Sequence, residues 1–304
     1  MQTIEHEITL NIHLIHEPVT VGDWVLLNEE QKFVRCLTRQ SEFSRKSPGS
    51  KVNKQLIASN IDTVFIVSSL NNDFNLSRIE RFLSLANEAH VDPVILLTKA
   101  DLCLDPYQYI DQIHQIDSLL IIEAMNALDE NSIQRLLPWC KSGQTIAFLG
   151  SSGVGKSTLI NKLLGNTEQL TGEIREDDSK GKHTTTGRSL HIMDNGALLL
   201  DTPGMRELQL VACEEGINET FSDISHLALQ CKFTDCSHQN EPKCAVQAAL
   251  SAGSIDERRL TNYFKLLKEQ ARNGATLAEQ RASDKSFQKH INSTQKQTKA
   301  VKRQ

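Results

Sequence analysis

Three short segments stand in an order that restricts the fold more than composition does. Gly150-Ser-Ser-Gly-Val-Gly-Lys-Ser157 has the spacing of a loop that wraps a phosphate group. Asp201-Thr-Pro-Gly204 follows it, and Thr98-Lys-Ala-Asp101 precedes it. The carboxylate of Asp101 suits a purine that offers both a ring N–H and an exocyclic amine, so this segment reads as the base-recognition element. In an ordinary guanine-nucleotide domain the base-reading element comes last. Here the same parts stand in rotated order, which describes a circular permutation.

Each position of the phosphate loop has a physical task. The backbone of Gly150, Ser151, Ser152, Gly153, Val154 and Gly155 turns successive N–H groups toward an anion. Lys156 sets a cation against the β and γ oxygens, and the Ser157 hydroxyl suits Mg²⁺. Thr145-Ile-Ala-Phe-Leu149 reads as the strand entering the loop. Ser157-Thr158 then opens a helix through Leu164, whose N-terminus faces the phosphate.

Ala197-Leu-Leu-Leu200 reads as a strand ending at Asp201. A carboxylate there reaches Mg²⁺ through water, and the Gly204 N–H contacts the γ-phosphate. Between the two motifs, 165–189 is long and polar and holds Gly181-Lys-His-Thr-Thr-Thr-Gly187. A loop of that length in a compact domain is commonly functional. Thr185 is the favoured magnesium ligand, although spacing does not choose among Thr184, Thr185 and Thr186. Thr98 stands where such segments carry Asn. It keeps a hydroxyl and lacks an amide, while Lys99 and Asp101 match. Met125-Asn-Ala-Leu128 is a weaker candidate for backbone contacts to the base.

Three of the seven cysteines, Cys231, Cys236 and Cys244, crowd together with His238. Three thiolates and one imidazole form a complete tetrahedral N/S set for Zn²⁺, with no position left for water. The expectation is a structural zinc site.

At 304 residues the chain has length for several domains. Residues 1–57 carry short β-rich runs, Val19–Leu27 and Phe33–Leu37, around loops such as Ser47-Pro-Gly-Ser50, and suggest a small barrel. From 58 to 212 strands alternate with helices, implying a mostly parallel, doubly wound sheet. Thr63–Val67 and Pro93–Leu97 are strand candidates. Ser77-Arg-Ile-Glu80 has capping-box spacing ahead of an apolar stripe of Ile79, Phe82, Leu83 and Ala86. Residues 213–304 read as the cysteine cluster, then helices, then a polar and disordered tail. The net charge of −5 excludes a uniformly basic protein, but 31–60 and 285–304 are locally basic. With neither an apolar span nor an export-signal pattern, a cytoplasmic protein with no membrane contact is expected.

The chain resembles the RsgA (YjeQ) family of small-ribosomal-subunit-dependent GTPases. The resemblance rests on Val21-Gly-Asp-Trp-Val25, Ala58-Ser-Asn-Ile-Asp62, the rotated motifs and the Cys–Cys–His–Cys signature. It implies an N-terminal OB-type barrel, a permuted GTPase domain and a mainly helical zinc domain. It also implies GTP hydrolysis to GDP, stimulated by the small ribosomal subunit late in that particle's maturation. Barrel and zinc domain would contact ribosomal RNA, and the protein is expected to be a monomer. Met205 follows Gly204 where many GTPases carry a water-orienting glutamine, and the family pattern offers His183 as the substitute. Two alternatives remain open at this level: an RNA-binding module that holds nucleotide without hydrolysing it, and an ATP-using enzyme.

Overall fold

The computed structural model describes residues 8–10, 15–46, 54–71, 73–165, 189–201, 205, 208–239, 241–275 and 279. His183, the three threonines after it, Gly204 and the basic tail 285–304 lie outside the described residues.

The β-rich start of the chain resolves into two antiparallel ladders. β1 (Val25–Leu27) pairs with β2 (Phe33–Cys36), and β3 (Glu42–Lys46) pairs with β4 (Lys54–Ser59). Much of Val19–Leu27 is therefore a turn rather than strand. Thr20 N–H donates to the Asp23 carboxylate at 2.7 Å, and Val21 forms only a bridge to Ala58. The second ladder is fastened to the rest of the molecule, because Phe43, Ile57 and Ala58 belong to the main apolar core.

The next strands are β5 (Thr63–Ser69), β6 (Asp92–Thr98), β7 (Ile121–Ala124), β8 (Thr145–Gly150), β9 (Ser189–Ile192) and β10 (Leu198–Asp201). They form one six-stranded sheet in the order β7-β6-β5-β8-β10-β9, parallel except for the edge strand β9. Continuous apolar runs form the centre because both faces are covered. Alternate residues point to opposite faces. Val64, Ile66, Ile95, Leu97, Ala147 and Leu149 join one core with Ile79 and Leu83 of α1 (Leu76–Glu88). Phe65, Val67, Val94, Leu96, Ile146 and Phe148 join a second core on the other face. There they meet Leu159, Ile160 and Leu163 of α4 (Lys156–Leu163). Each valine, leucine, isoleucine or phenylalanine among them that is fully withdrawn from water contributes about 1.5–3 kcal/mol. Between these helices lie α2 (Tyr107–His114) and the short α3 (Glu130–Gln134).

The cap of α1 corrects the sequence reading. Asn75 is its N-cap, accepting the Arg78 N–H at 3.0 Å, so Ser77 and Glu80 make no capping box. Glu80 is instead fully buried and serves the C-terminal helices. These are α5 (Glu214–Thr220), α6 (Ser222–Ala228), α7 (Ala245–Ser251) and α8 (Glu257–Gly274). Arg258 grips Glu80 at 2.9 and 3.0 Å, Arg259 at 3.0 Å and Asn262 at 2.6 Å. Removing one partner of such a buried set costs about 3–5 kcal/mol, because the remaining charge stays desolvated.

α5 lies directly on α1. A Cβ at Gly216 would stand 2.1 Å from the Ser84 carbonyl oxygen, so only glycine permits this approach. Ile217, Phe221, Leu260, Tyr263 and Leu266 share one core with α1. Among the described residues no helix is long and apolar enough to cross a membrane.

Candidate nucleotide site and metal centre

Parallel pairing sets the carboxyl ends of β5, β6, β8 and β10 along one edge of the sheet. Ser69 pairs with Thr98, Val67 with Gly150, and Leu200 with Ala147. The helices after β5 and β8 cover opposite faces, so the chain reverses its winding between these two strands. A crevice at such a reversal is the usual ligand position in an open α/β sheet.

The phosphate loop leaves β8 at this crevice. Gly150 has φ +149°, and a Cβ on it would meet the Val67 carbonyl oxygen at 2.4 Å. The loop can thus turn only with glycine there. Ser151, Ser152, Gly153, Val154 and Gly155 complete the turn, and Lys156 opens α4, with Ser157 and Thr158 in the same first helical turn. The Lys156 ammonium is buried and bends back over the loop, donating to the carbonyls of Gly150 (2.8 Å) and Ser151. A cation and a helix N-terminus thus converge on one small volume, the arrangement that favours phosphate.

The base-reading segment meets this loop directly. Thr98 ends β6 fully buried, and its hydroxyl donates to the Val154 carbonyl at 2.6 Å. Lys99, in a left-handed conformation at φ 58°, donates from Nζ to the Gly153 carbonyl at 3.2 Å. Asp101 follows in a solvent-facing single turn, Ala100–Leu102. The Ala100 N–H bonds to the Met125 carbonyl at 3.2 Å, bringing the 125–128 turn alongside. Asn126 accepts the Leu128 N–H at 2.9 Å and shapes that turn.

Asp201 closes β10 on the far side of β8, so it borders the same crevice. Met205 is buried at 2 % exposure in the main core. Its side chain therefore anchors the backbone after Gly204 rather than reaching solvent.

The second site is the cysteine cluster. The ligand atoms of Cys231, Cys236, His238 and Cys244 all lie within 4.8 Å of one another. Cys231 Sγ and Cys244 Sγ are 3.8 Å apart, and each is 3.5 Å from His238 Nδ1. Zn–S bonds of about 2.3 Å and a Zn–N bond of about 2.0 Å at tetrahedral angles require separations of about 3.8 Å and about 3.5 Å. The residues fit zinc closely.

The surroundings treat two of the thiols oppositely, and desolvation pushes that of Cys236 up to about 11. Desolvation acts against ionisation of Cys231, yet the N–H groups of Val246 and Ala245 at the start of α7 hold its pKa below the ordinary thiol value. The Gln247 N–H points at Cys244 Sγ, and the Gln247 side chain fastens the His238 carbonyl at 2.6 Å. Glu241 ties the knuckle by accepting the N–H groups of Ser237 and Gln239. Phe264 of α8 stacks on the His238 ring. The ligands are legible in sequence from spacing. Their supports are not, since Gln247 and Phe264 belong to no motif.

Fold and site together define a permuted phosphate-loop nucleotide-binding protein with a Cys₃His metal knuckle. The family model described as RsgA GTPase matches residues 36–211. The small ribosomal subunit biogenesis GTPase RsgA 2 of Vibrio parahaemolyticus is 62 % identical over 283 residues, covering 93 % of this chain and 79 % of that protein. RsgA of Mesorhizobium japonicum is 47 % identical over 276 residues, covering 90 % and 80 %. The crystal structure of YjeQ from Thermotoga maritima superposes with a TM-score of 0.60 at 27 % identity, over 83 % of this chain and 84 % of that one. YloQ, described as a circularly permuted GTPase, shares the fold at a TM-score of 0.57 and 24 % identity, over 84 % and 82 %. The chain belongs to the RsgA GTPase family.

Proposed function

We propose that this protein hydrolyses GTP to GDP and phosphate and acts in maturation of the small ribosomal subunit, which stimulates its turnover. The observation that carries the reading is the Thr98–Val154 hydrogen bond, which makes the base-reading segment and the phosphate loop walls of one crevice. The names borne by the relatives supply the ribosomal partner.

In this reading Asp101 takes the N1–H and exocyclic amine of guanine, a pair that adenine lacks. The loop N–H groups from Gly150 to Gly155 and the Lys156 ammonium hold the β and γ phosphates. Ser157, Asp201 and Thr185 hold Mg²⁺, which when bound neutralises charge developing on the transferred phosphoryl group. Thr158 adds a hydroxyl at the start of α4, and the Gly204 N–H contacts the γ-phosphate. His183 orients the attacking water, a task that the buried Met205 side chain cannot perform. Catalysis of this kind is chiefly positioning and charge stabilisation.

Residues 1–57 form the OB-type module, 58–212 the permuted GTPase domain and 213–304 the zinc domain with its basic tail. The first and last engage ribosomal RNA, consistent with the basic stretches at 31–60 and 285–304. The protein works as a monomer in the cytoplasm.

The deciding experiment measures phosphate release from GTP with small subunits, large subunits or neither. Strong stimulation by small subunits alone is expected, and equal rates in all three arms would overturn the proposal. Competition between GTP and ATP tests the base assignment, and preference for ATP would remove Asp101 from its role.

A further inference from the structure

At the carboxyl end of β6 and β7, four large apolar side chains face solvent. Leu102 and Tyr107 are each 74 % exposed, Leu128 is 70 % exposed, and Leu104 is fully exposed. Ala100, Cys103, Tyr109 and Ile110 alternate with them in the chain and pack against the main core, whereas these four join neither core. They share one rim. Leu102 closes the single turn after β6, and Leu104 and Tyr107 lead into α2. The Ala100 N–H bond to the Met125 carbonyl sets the 125–128 turn, with Leu128, alongside. An exposed leucine by itself is ordinary, but a group of this kind marks a contact surface.

The charge around the group selects the partner. Residues 101–134 hold seven Asp or Glu and no Lys or Arg, a local balance of −7. Glu123 and Glu130 are paired with Arg135 and Lys162. The other five, Asp101, Asp105, Asp111, Asp117 and Asp129, are exposed and form no ion pair among the described residues. Asp105 and Asp129 directly follow Leu104 and Leu128, and Asp111 stands one helical turn after Tyr107. Unpaired carboxylates thus border the apolar group.

We propose that this rim docks a polypeptide segment rich in lysine or arginine and carrying apolar side chains. Leu102, Leu104, Tyr107 and Leu128 supply apolar contact, and Asp105, Asp111 and Asp129 pair with the cations. RNA fits poorly, because its phosphates would meet carboxylates with no cation between them. A second copy of this chain fits poorly too, because it would set the same unpaired carboxylates against each other. The proposal goes beyond the nucleotide chemistry and holds whether or not the protein hydrolyses GTP.

The test uses the full-length protein and two labelled peptides of equal length, one alternating lysine with leucine and the other lysine with serine, beside a labelled single-stranded RNA. Fluorescence anisotropy at low and high salt gives each affinity. The lysine–leucine peptide is expected to bind, more weakly as salt rises. The lysine–serine peptide should bind about fivefold more weakly, having no apolar side chain to bury. Asp105→Asn with Asp111→Asn removes two charges, while an asparagine at 105 can still accept the Tyr107 N–H. This pair of changes should weaken lysine–leucine binding about fivefold. Leu104→Ser should weaken it about threefold and leave the melting temperature unchanged, because the leucine is fully exposed. Asp194→Asn with Glu215→Gln removes the same charge from exposed positions elsewhere and should change little. A lysine–leucine peptide that does not bind the wild type would overturn the proposal. So would equal affinities for the wild type and the Asp105, Asp111 variant, or an equal loss in the Asp194, Glu215 variant. Weaker RNA binding after the Asp105 and Asp111 changes would assign the rim to nucleic acid instead. A wild-type dimer that Leu104→Ser disperses would assign it to self-association, and either result would also end the proposal.

Discussion

Thr98 donates its hydroxyl to the main-chain oxygen of Val154 across 2.6 Å of buried space. This bond joins two segments that stand far apart in sequence, the later one proposed above to bind phosphate and the earlier one to read the base. It also gives a role to the threonine that replaces the usual asparagine. A short hydroxyl at the end of β6 reaches this carbonyl, and the loop turns beside it at Gly155, whose φ of +97° favours glycine. Thr98→Val keeps the shape and removes the donor. A net loss of about 1–1.5 kcal/mol is expected, or about tenfold weaker GDP binding. Titration of labelled GDP reads this, and unchanged affinity would mean the bond is incidental.

Two substitutions separate binding from chemistry. Lys156→Ala removes the buried ammonium at the loop mouth and should abolish nucleotide binding. His183→Ala should slow hydrolysis by about 100-fold, a size typical of general acid–base groups, with GTP affinity preserved. Pre-steady-state phosphate release beside equilibrium binding distinguishes the cases. Equal loss of both on changing His183 would refute the water-positioning role.

The metal knuckle predicts a graded thiol titration. The native protein should carry one equivalent of zinc, released by strong chelators or by a thiol-modifying mercurial. Three thiols, those of Cys231, Cys236 and Cys244, should become reactive together with that release. Burial pushes the Cys140 thiol up to about 11 and the Cys213 thiol up to about 12. Both should stay unreactive at pH 8 until denaturant is added, because the thiolate is the reactive form. Early labelling of Cys213 would contradict the packing of α5 on α1.

Asp23 predicts an acid-sensitive N-terminal module. Its carboxylate accepts Arg39 Nε and Nη2 at 2.7 and 2.9 Å, and the Ser59 hydroxyl at 2.6 Å. Desolvation alone would raise its pKa, but the hydrogen bonds of Arg39, Ser59 and the Thr20 N–H bring it below 3.8. The folded state thus holds its proton less tightly than the unfolded chain. The stabilisation is present above about pH 4 and is lost as pH falls through the folded value. Asp23→Ala should cost about 3 kcal/mol at neutral pH, since it leaves Arg39 mostly buried without this partner. Urea unfolding at pH 7 and at acid pH checks both statements, and an equal cost at both would be inconsistent with them.

Much of the sheet was readable because its central strands are buried on both faces. Thr63–Val67, Pro93–Leu97 and Thr145–Leu149 are continuous apolar runs, and all three are strands of the sheet. β7 and β9 were missed, as four-residue edge strands carry too little pattern. The capping-box spacing at Ser77 misled because Glu80 is needed by Arg258 and Arg259, which are distant in the chain. The Asp23 of Val21-Gly-Asp-Trp-Val25 gave no sign of its role either, whereas Trp24 beside it is 61 % exposed.

Sequence alone determined which short segments carry candidate chemistry. A glycine-rich loop with lysine and serine, a carboxylate suited to guanine, and three cysteines with a histidine each declare a ligand through residue type and spacing. Only tertiary structure decided that Thr98 touches Val154, that Cys231 lies 3.8 Å from Cys244, and that Asn273 of α8 bonds the Leu210 carbonyl. Motifs are short-range patterns. Which motif stands beside which is settled by strand order and helix packing, and these depend on burying both faces of one sheet at once.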